Sequence, residues 1–366
     1  MQDLYVGIMS GTSLDGIDIA LTRFTGPRSV TLLDACCLPF PDSLRDDLLS
    51  LCSPGEDEIR RAGIVGQNWA RLAAEGVHAL LDRQHISPEQ VRTIGSHGQT
   101  VRHHPELGFS LQIGAPALLA ELCGIRVASD FRSRDIAAGG EGAPLVPAFH
   151  HWLLNDPVAT RTLVNVGGFA NLTVMQPGGP VRGLDSGPGN VLLDYWIHLH
   201  QGKAYDAAGT WARTGAVNQA LLRAMLEDPY FRRSAPKSTG REHFNPHWLQ
   251  QRLASVGPTN PADVQATLLE LSARSIADAV VDYAGTTRAL YICGGGARNT
   301  YLMERLQAHL PKVQVQTTEA LGVNADWMEA IAFAWLAWRC EEGLAGNLPA
   351  VTGANGERVL GAIYPA

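Results

Sequence analysis

The sequence predicts an α/β fold built as two similar domains around a cleft. Three observations lead there. A run of strands followed by alternating helix and strand patterns occurs twice along the chain. Four small-residue loops follow apolar, β-branched runs in order. The 366 residues, at roughly 150 per domain, suit two domains that each bury a core.

The first half opens with strand patterns at 3–9, 16–24 and 28–37, an antiparallel meander. Helical periodicity follows at 41–52 and at 57–84, the second marked by Ile64, Trp69, Leu72, Ala73 and Val77. Strands at 92–96 and 109–113 and a helix at 115–123 complete the unit. The second half repeats the order, with strands at 161–167, 170–175 and 181–184 and helices at 188–200, 215–227 and 262–283. A strand at 288–293, a helix at 297–309, a strand at 312–316 and a helix at 325–342 close it. The junction is expected near 124–130. This gives a first domain of 1–127, completed by a tail from about 344 to 366, and a second of 128–343. Gly346, Pro349, Gly353 and Gly356 mark the returning tail.

Composition excludes several classes. A hydrophobic content of 45% with 18% charged residues is that of a globular protein. The net charge of −7 argues against a nucleic-acid partner. The six cysteines include no C-x-x-C pair and no metal-ligand spacing, so they read as buried apolar residues in a reducing compartment. The apolar helical run Ala330–Trp338 is far shorter than the ~20 residues of a membrane span. With no signal-peptide pattern at the start, the chain reads as cytoplasmic.

The loops carry the chemistry. Ser10, Gly11, Thr12 and Ser13, then Asp15, Gly16 and Asp18, lie between two strand patterns. Small residues let amides and hydroxyls approach an anion, and carboxylates hold Mg²⁺ or its waters, so this hairpin reads as a phosphate clamp. An Asp-Gly pair is equally a hairpin turn, which leaves Asp15 with two readings. Neither G-x-x-x-x-G-K-[ST] nor a helix-opening G-x-G-x-x-G is present. Residues 163–174 place Gly167 and Gly168 between Asn165 and Asn171, and 290–299 run into Gly294, Gly295, Gly296 and Asn299. Asp185 follows a strand pattern and precedes Ser-Gly-Pro-Gly-Asn190, so its carboxylate can take a proton from an attacking oxygen. Its other reading is a helix N-cap, a role Ser186 fills equally well.

These stretches, with His97-Gly-Gln-Thr100, Asp130-Phe-Arg132 and Asp135 through Pro144, resemble the anhydro-N-acetylmuramic acid kinases across essentially the whole chain. Phe169 and Ser186 stand where that family leads one to expect Ile and Thr. The resemblance implies two actin-like ATPase domains of ribonuclease H-like fold with an interdomain cleft that closes on its ligands. It implies ATP and Mg²⁺, with Asp15 or Asp18 near the metal, and Asp185 as the catalytic base. Gly11 to Asp18 and Asn165 to Asn171 would hold the phosphates, and Gly294 to Asn299 the adenosine. ATP would phosphorylate O6 of 1,6-anhydro-N-acetylmuramic acid while water opens the anhydro bridge. His97, Gln99, Arg132, Asp135 and Glu329 would meet the sugar. Arg132 reads alternatively as a hinge salt bridge to Asp130 or Asp135, and Pro236–Arg241 as a solvated basic loop or a closing one. A homodimer is implied as well, and the Trp-rich last helix reads as core or dimer surface. The rivals are an amino-sugar kinase that incorporates no water and a nucleotide-driven switch.

Overall fold

The computed structural model of the chain describes every residue except 1, 2, 12, 13, 27, 236 and 242. In chain order come β1 (Leu4–Met9), β2 (Gly16–Gly26), β3 (Ser29–Pro39), α1 (Asp42–Leu51), α2 (Glu58–Arg83) and β4 (Val91–Ser96). Then follow β5 (Gln99–His104), β6 (Phe109–Ile113), α3 (Pro116–Cys123), β7 (Val127–Ser129), α4 (Ser133–Ile136) and α5 (Val146–Leu154). Next are β8 (Arg161–Val166), β9 (Phe169–Met175), β10 (Arg182–Pro188), α6 (Val191–Gln201), α7 (Gln219–Leu226), α8 (Pro246–Val256) and α9 (Pro261–Ala284). The chain ends with β11 (Ala289–Cys293), α10 (Thr300–His309), β12 (Gln314–Thr317), α11 (Met328–Glu341), α12 (Pro349–Thr352) and β13 (Ala362–Tyr364). Two compact units result, Met1–Leu153 with Trp327–Ala366, and Leu154–Asp326.

Each unit repeats one topology. The first sheet runs β13-β7-β4-β1-β2-β3 and the second β10-β9-β8-β11-β12. In both, three strands form an antiparallel meander, the fourth pairs parallel to the first, and a fifth pairs parallel to the fourth. This is the duplicated α/β architecture that the pattern predicts and the resemblance implies; in the first unit β13 adds an antiparallel edge.

The expected junctions at 128 and 343 both fall inside the first unit. One cause is β7, which pairs with β4. The other is α11, which lies on the first sheet through two glycines. Gly7 of β1 and Gly95 of β4 are paired in register. A Cβ on Gly7 would stand 1.8 Å from the Ala330 oxygen, and one on Gly95 2.0 Å from the Phe333 oxygen. Bare backbone thus admits the helix, whose own face is alanine at 330, 334 and 337. The Trp-rich helix is core at Trp335, 3% exposed, which packs against Phe149 and Trp152.

The second unit centres on α9, buried along most of its length and started by Asn260 as N-cap with Pro261 at the first turn. All six cysteines are unbridged, and only Cys123 and Cys293 are fully buried; Cys37 and Cys52 are exposed. Among the described residues, no helix is long and apolar enough to cross a membrane.

Candidate functional site

In the second unit the candidate residues gather around Asp185. The helix-cap reading of Asp185 fails, because β10 continues to Pro188 and α6 starts only after Asn190. Ser186 is no cap either; its hydroxyl donates to the Ala170 carbonyl at 3.2 Å. Asp185 is 9% exposed and held from every side. Its Oδ1 accepts from the Asn171 side-chain amide across the β9–β10 pair, and its Oδ2 accepts from the Thr239 backbone N–H at 3.0 Å. The Asp185 N–H donates to the Lys237 carbonyl at 3.0 Å, and its carbonyl accepts from the Tyr230 hydroxyl at 2.7 Å. The loop read as solvated or closing therefore holds Asp185, its main chain through the Lys237 carbonyl and its carboxylate through Thr239 N–H. The sequence offered no signal for this, since the contacts use main-chain atoms.

The glycine loops of this unit join into one backbone platform. The Gly167 carbonyl accepts from Asn190 N–H at 2.9 Å, and the Gly168 carbonyl from Gly189 and Val191 at 2.9 and 3.0 Å. Asn165, 7% exposed, lies beside Cys293 in the β8–β11 pair. The three glycines after β11 do different work. A Cβ on Gly294 would meet Asn165 Oδ1 at 2.3 Å, and one on Gly296 would meet Val166 Cγ1 at 2.4 Å, so both are packing glycines. Gly294 also has φ +75°, a conformation open to glycine. Around Gly167, Gly168 and Gly295 the nearest atom to an added Cβ is 3.8 Å away, ordinary van der Waals contact, so packing alone does not demand glycine at these three. Asn299 also has a structural role: its side-chain oxygen accepts from Leu302 N–H at 3.0 Å and caps α10.

In the first unit, the expected phosphate hairpin is described except at Thr12 and Ser13, which lie outside the described residues. The Gly11 carbonyl accepts from Leu14 N–H and from the Gln99 side chain, both at 3.3 Å. Gly16 is a packing glycine, with a would-be Cβ 2.3 Å from the Leu38 oxygen. Asp15 is exposed, and its carbonyl accepts from Phe40 N–H at 3.2 Å. Asp18 is half-buried on β2 and accepts a hydrogen bond from the Cys37 thiol. Among the described residues, no group of three or more His, Cys, Asp or Glu is assembled to hold a metal.

His97, Arg132 and Asp135 form one relay. His97 is 5% exposed, and both its ring nitrogens are engaged. Nδ1 donates to the Gly98 carbonyl and Nε2 accepts from Arg132 Nη2, each at 2.8 Å, which makes the imidazole neutral. Burial, and then the Arg132 charge, push its pKa down to about 3. Arg132 Nη1 donates to the Gly142 carbonyl at 2.7 Å. Burial lowers the guanidinium to about 10 against the opposing pull of Glu329 and Asp135. Asp135 makes no salt bridge to Arg132. It is 0% exposed, and its oxygens accept from Gly142 N–H (2.9 Å), Asn347 (2.7 Å) and Thr352 (2.8 Å). Asp130 is also not Arg132's partner; it accepts from the Ser133 hydroxyl at 2.6 Å. Gln99 is 1% exposed, and Glu329 is half-buried in the first turn of α11. The turn at 97–99 is braced by Trp69, which donates to Ser10, whose hydroxyl donates to Gly98.

The family model described as anhydro-N-acetylmuramic acid kinase matches residues 3–366. The anhydro-N-acetylmuramic acid kinase of Pseudomonas fluorescens (strain Pf0-1) is 55% identical over 362 residues, 99% of either chain. That of Pseudomonas putida is 56% identical over 363 residues, again 99% of either chain. That of Thiobacillus denitrificans is 54% identical over 363 residues, 99% of this chain and 97% of its own.

Proposed function

The chain belongs to the anhydro-N-acetylmuramic acid kinase family, and from that premise we propose how its residues divide the work. The enzyme is a kinase that uses ATP to convert 1,6-anhydro-N-acetylmuramic acid and water to N-acetylmuramic acid 6-phosphate and ADP, in murein recycling. The observation that carries the reading is Asp185, a nearly buried carboxylate clamped between Asn171 and the Thr239 amide.

Asp185 takes a proton from water as the water oxygen bonds to the anomeric carbon. The bond from that carbon to O6 breaks, and the freed O6 attacks the γ-phosphorus while the bond to the β-phosphate oxygen breaks. Opening the bridge generates the nucleophile, so no second base is needed for O6. The side-chain-free backbone at Gly167, Gly168 and Gly295, which packing does not require to be glycine, suits close approach of the nucleotide. Gly294 and Gly296 hold that platform on β8, with Asn165 beside them. The Gly11–Asp18 hairpin serves the γ-phosphate. The metal would arrive on the phosphates, with Asp15 or Asp18 touching its waters. Mg²⁺ there would neutralise charge developing on the transferred group.

Arg132 uses two of its five N–H donors inside the protein, which leaves a fork for the lactyl carboxylate of the sugar. Gln99 and Glu329 flank it, while His97 and Asp135 act through it, the latter by fixing Gly142. We place the reaction in the cytoplasm, where ATP is available, and take the working species to be a homodimer, which light scattering tests. The chemistry is tested by turnover in ¹⁸O-water with mass spectrometry of the product. One ¹⁸O at the anomeric position of the phosphosugar is expected. An unlabelled phosphosugar would replace this reading with a conventional amino-sugar kinase.

A further inference from the structure

Residues 228–252 contain a device that the reaction scheme leaves unused. Asp228 is 4% exposed and accepts four hydrogen bonds. Its Oδ1 takes Tyr230 N–H and His243 Nε2, both at 3.0 Å, and its Oδ2 takes Trp248 Nε1 at 2.8 Å and Arg252 Nη2 at 2.9 Å. Donors from both flanks on one buried carboxylate close the intervening chain into a loop of fixed span. A buried carboxylate with its lone pairs filled by donors is a stable anchor, and removing a partner leaves the rest unsatisfied.

The loop is fastened at the candidate base. Tyr230 is 2% exposed, with its ring against Phe231, His243 and Phe244. Its hydroxyl donates to the Asp185 carbonyl at 2.7 Å. That carbonyl sits where the β9–β10 register slips, between Asp185 and Gly187. The neighbouring Phe231 closes on the same irregularity, since a Cβ on Gly187 would lie 2.9 Å from its ring. A bulge bends its strand and re-aims side chains, and next to a reactive group that aim matters. Further along, the loop returns to donate Thr239 N–H to the carboxylate itself.

We propose that Tyr230 is a positioning residue for Asp185: its hydroxyl, anchored through Asp228, sets the strand bulge that aims the carboxylate at the attacking water. The inference rests on Asp185 being the base. Tyr230→Phe keeps the ring packing and removes only the hydroxyl, so it isolates the bond.

The test is a double-mutant cycle on the full chain, read as single-turnover formation of ¹⁸O-labelled phosphosugar, with KM for each substrate and thermal melting alongside. Tyr230→Phe is expected to lower kcat about tenfold, the loss of one well-placed buried hydrogen bond, with both KM values within about twofold. In an Asp185→Asn background the same change should have no further effect, because Tyr230 acts only through that carboxylate. An unchanged kcat, or an equal loss in both backgrounds, overturns the proposal and leaves Tyr230 a packing residue. Should Tyr230→Phe not accumulate as folded protein, Asp228→Asn loosens the same hydroxyl and must show the same kcat-only loss. An Asp185→Asn enzyme that keeps its kcat refutes the base itself, and that result is read before Tyr230 enters.

Discussion

The His97–Arg132 contact makes a quantitative prediction about acid. In the folded chain His97 stays neutral down to about pH 3, whereas its ordinary value is 6.5. Between those limits the unfolded chain binds a proton that the folded chain refuses, so stability is full above 6.5 and falls as pH drops through the window. Each unit below 6.5 removes ~1.4 kcal/mol. At about pH 4.5 the loss from this one imidazole is therefore ~2.7 kcal/mol. The physical cause is specific: a protonated Nε2 would point its hydrogen at Arg132 Nη2, a second donor 2.8 Å away. His150, buried and likewise held at about 3, adds a parallel loss that the comparison must cancel. The assay is urea unfolding of the parent and of His97→Gln at pH 7 and pH 4.5. Glutamine can offer N–H to Gly98 and oxygen to Arg132 without titrating in this range. The variant should lose ~2.7 kcal/mol less than the parent over that interval. Equal losses would refute the claim that His97 is a fixed, neutral acceptor. For the same reason KM for the sugar should show no break near pH 6.5.

Asp185→Asn retains the shape of the side chain but cannot take a proton, and should reduce labelled phosphosugar formation by about 10²- to 10⁴-fold in ¹⁸O-water, with ADP falling in step. Arg132→Lys keeps the charge and loses the planar fork; KM for the sugar should rise about tenfold to a hundredfold, while kcat changes little. An analogue lacking the lactyl carboxylate should not feel that substitution, and an equal penalty on both substrates would remove Arg132 as the carboxylate contact. Gly7→Ala drives a methyl into the backbone of α11, where neither Ala330 nor Ala334 can yield; calorimetry should show destabilisation by ~3 kcal/mol or insoluble protein. Gly167→Ala meets nothing within 3.4 Å. It should melt like the parent while raising KM for ATP.

The repeated meander was legible because alternating apolar positions and turn residues act locally. The strands at 4–9, 16–26 and 29–39 fall within two residues of the expected ends. The domain junction was not legible, because it depends on where α11 rests. That is decided by Gly7 and Gly95, nearly ninety residues apart in sequence yet paired in one sheet. Asp185 was visible as a chemical residue, but its partners were not. Three of the four bonds described for it involve main-chain atoms of residue 185, 237 or 239, and such atoms leave no mark in a sequence. Asp135 and Asn299 carry internal contacts that the letters do not announce. A buried carboxylate that fastens a turn and an amide that caps a helix look, as letters, like residues that meet a ligand.

The glycines sharpen this point, since one residue type does two opposed jobs within a single run. Gly294 and Gly296 are needed because protein fills the space a side chain would take. Gly295 stands between them with room for a methyl, which would meet Asn190 at 3.8 Å. Substituting the outer pair should cost folding, and substituting the middle one should cost nucleotide binding with the fold intact. A ligand-facing glycine is thus defined by what is absent around its Cα, and only packing tells the two kinds apart. The same test separates Gly167 and Gly168 from Gly16. Among the motif glycines of the second unit, Gly167, Gly168 and Gly295 are thus the three whose proposed nucleotide role a substitution can test without disturbing the packing.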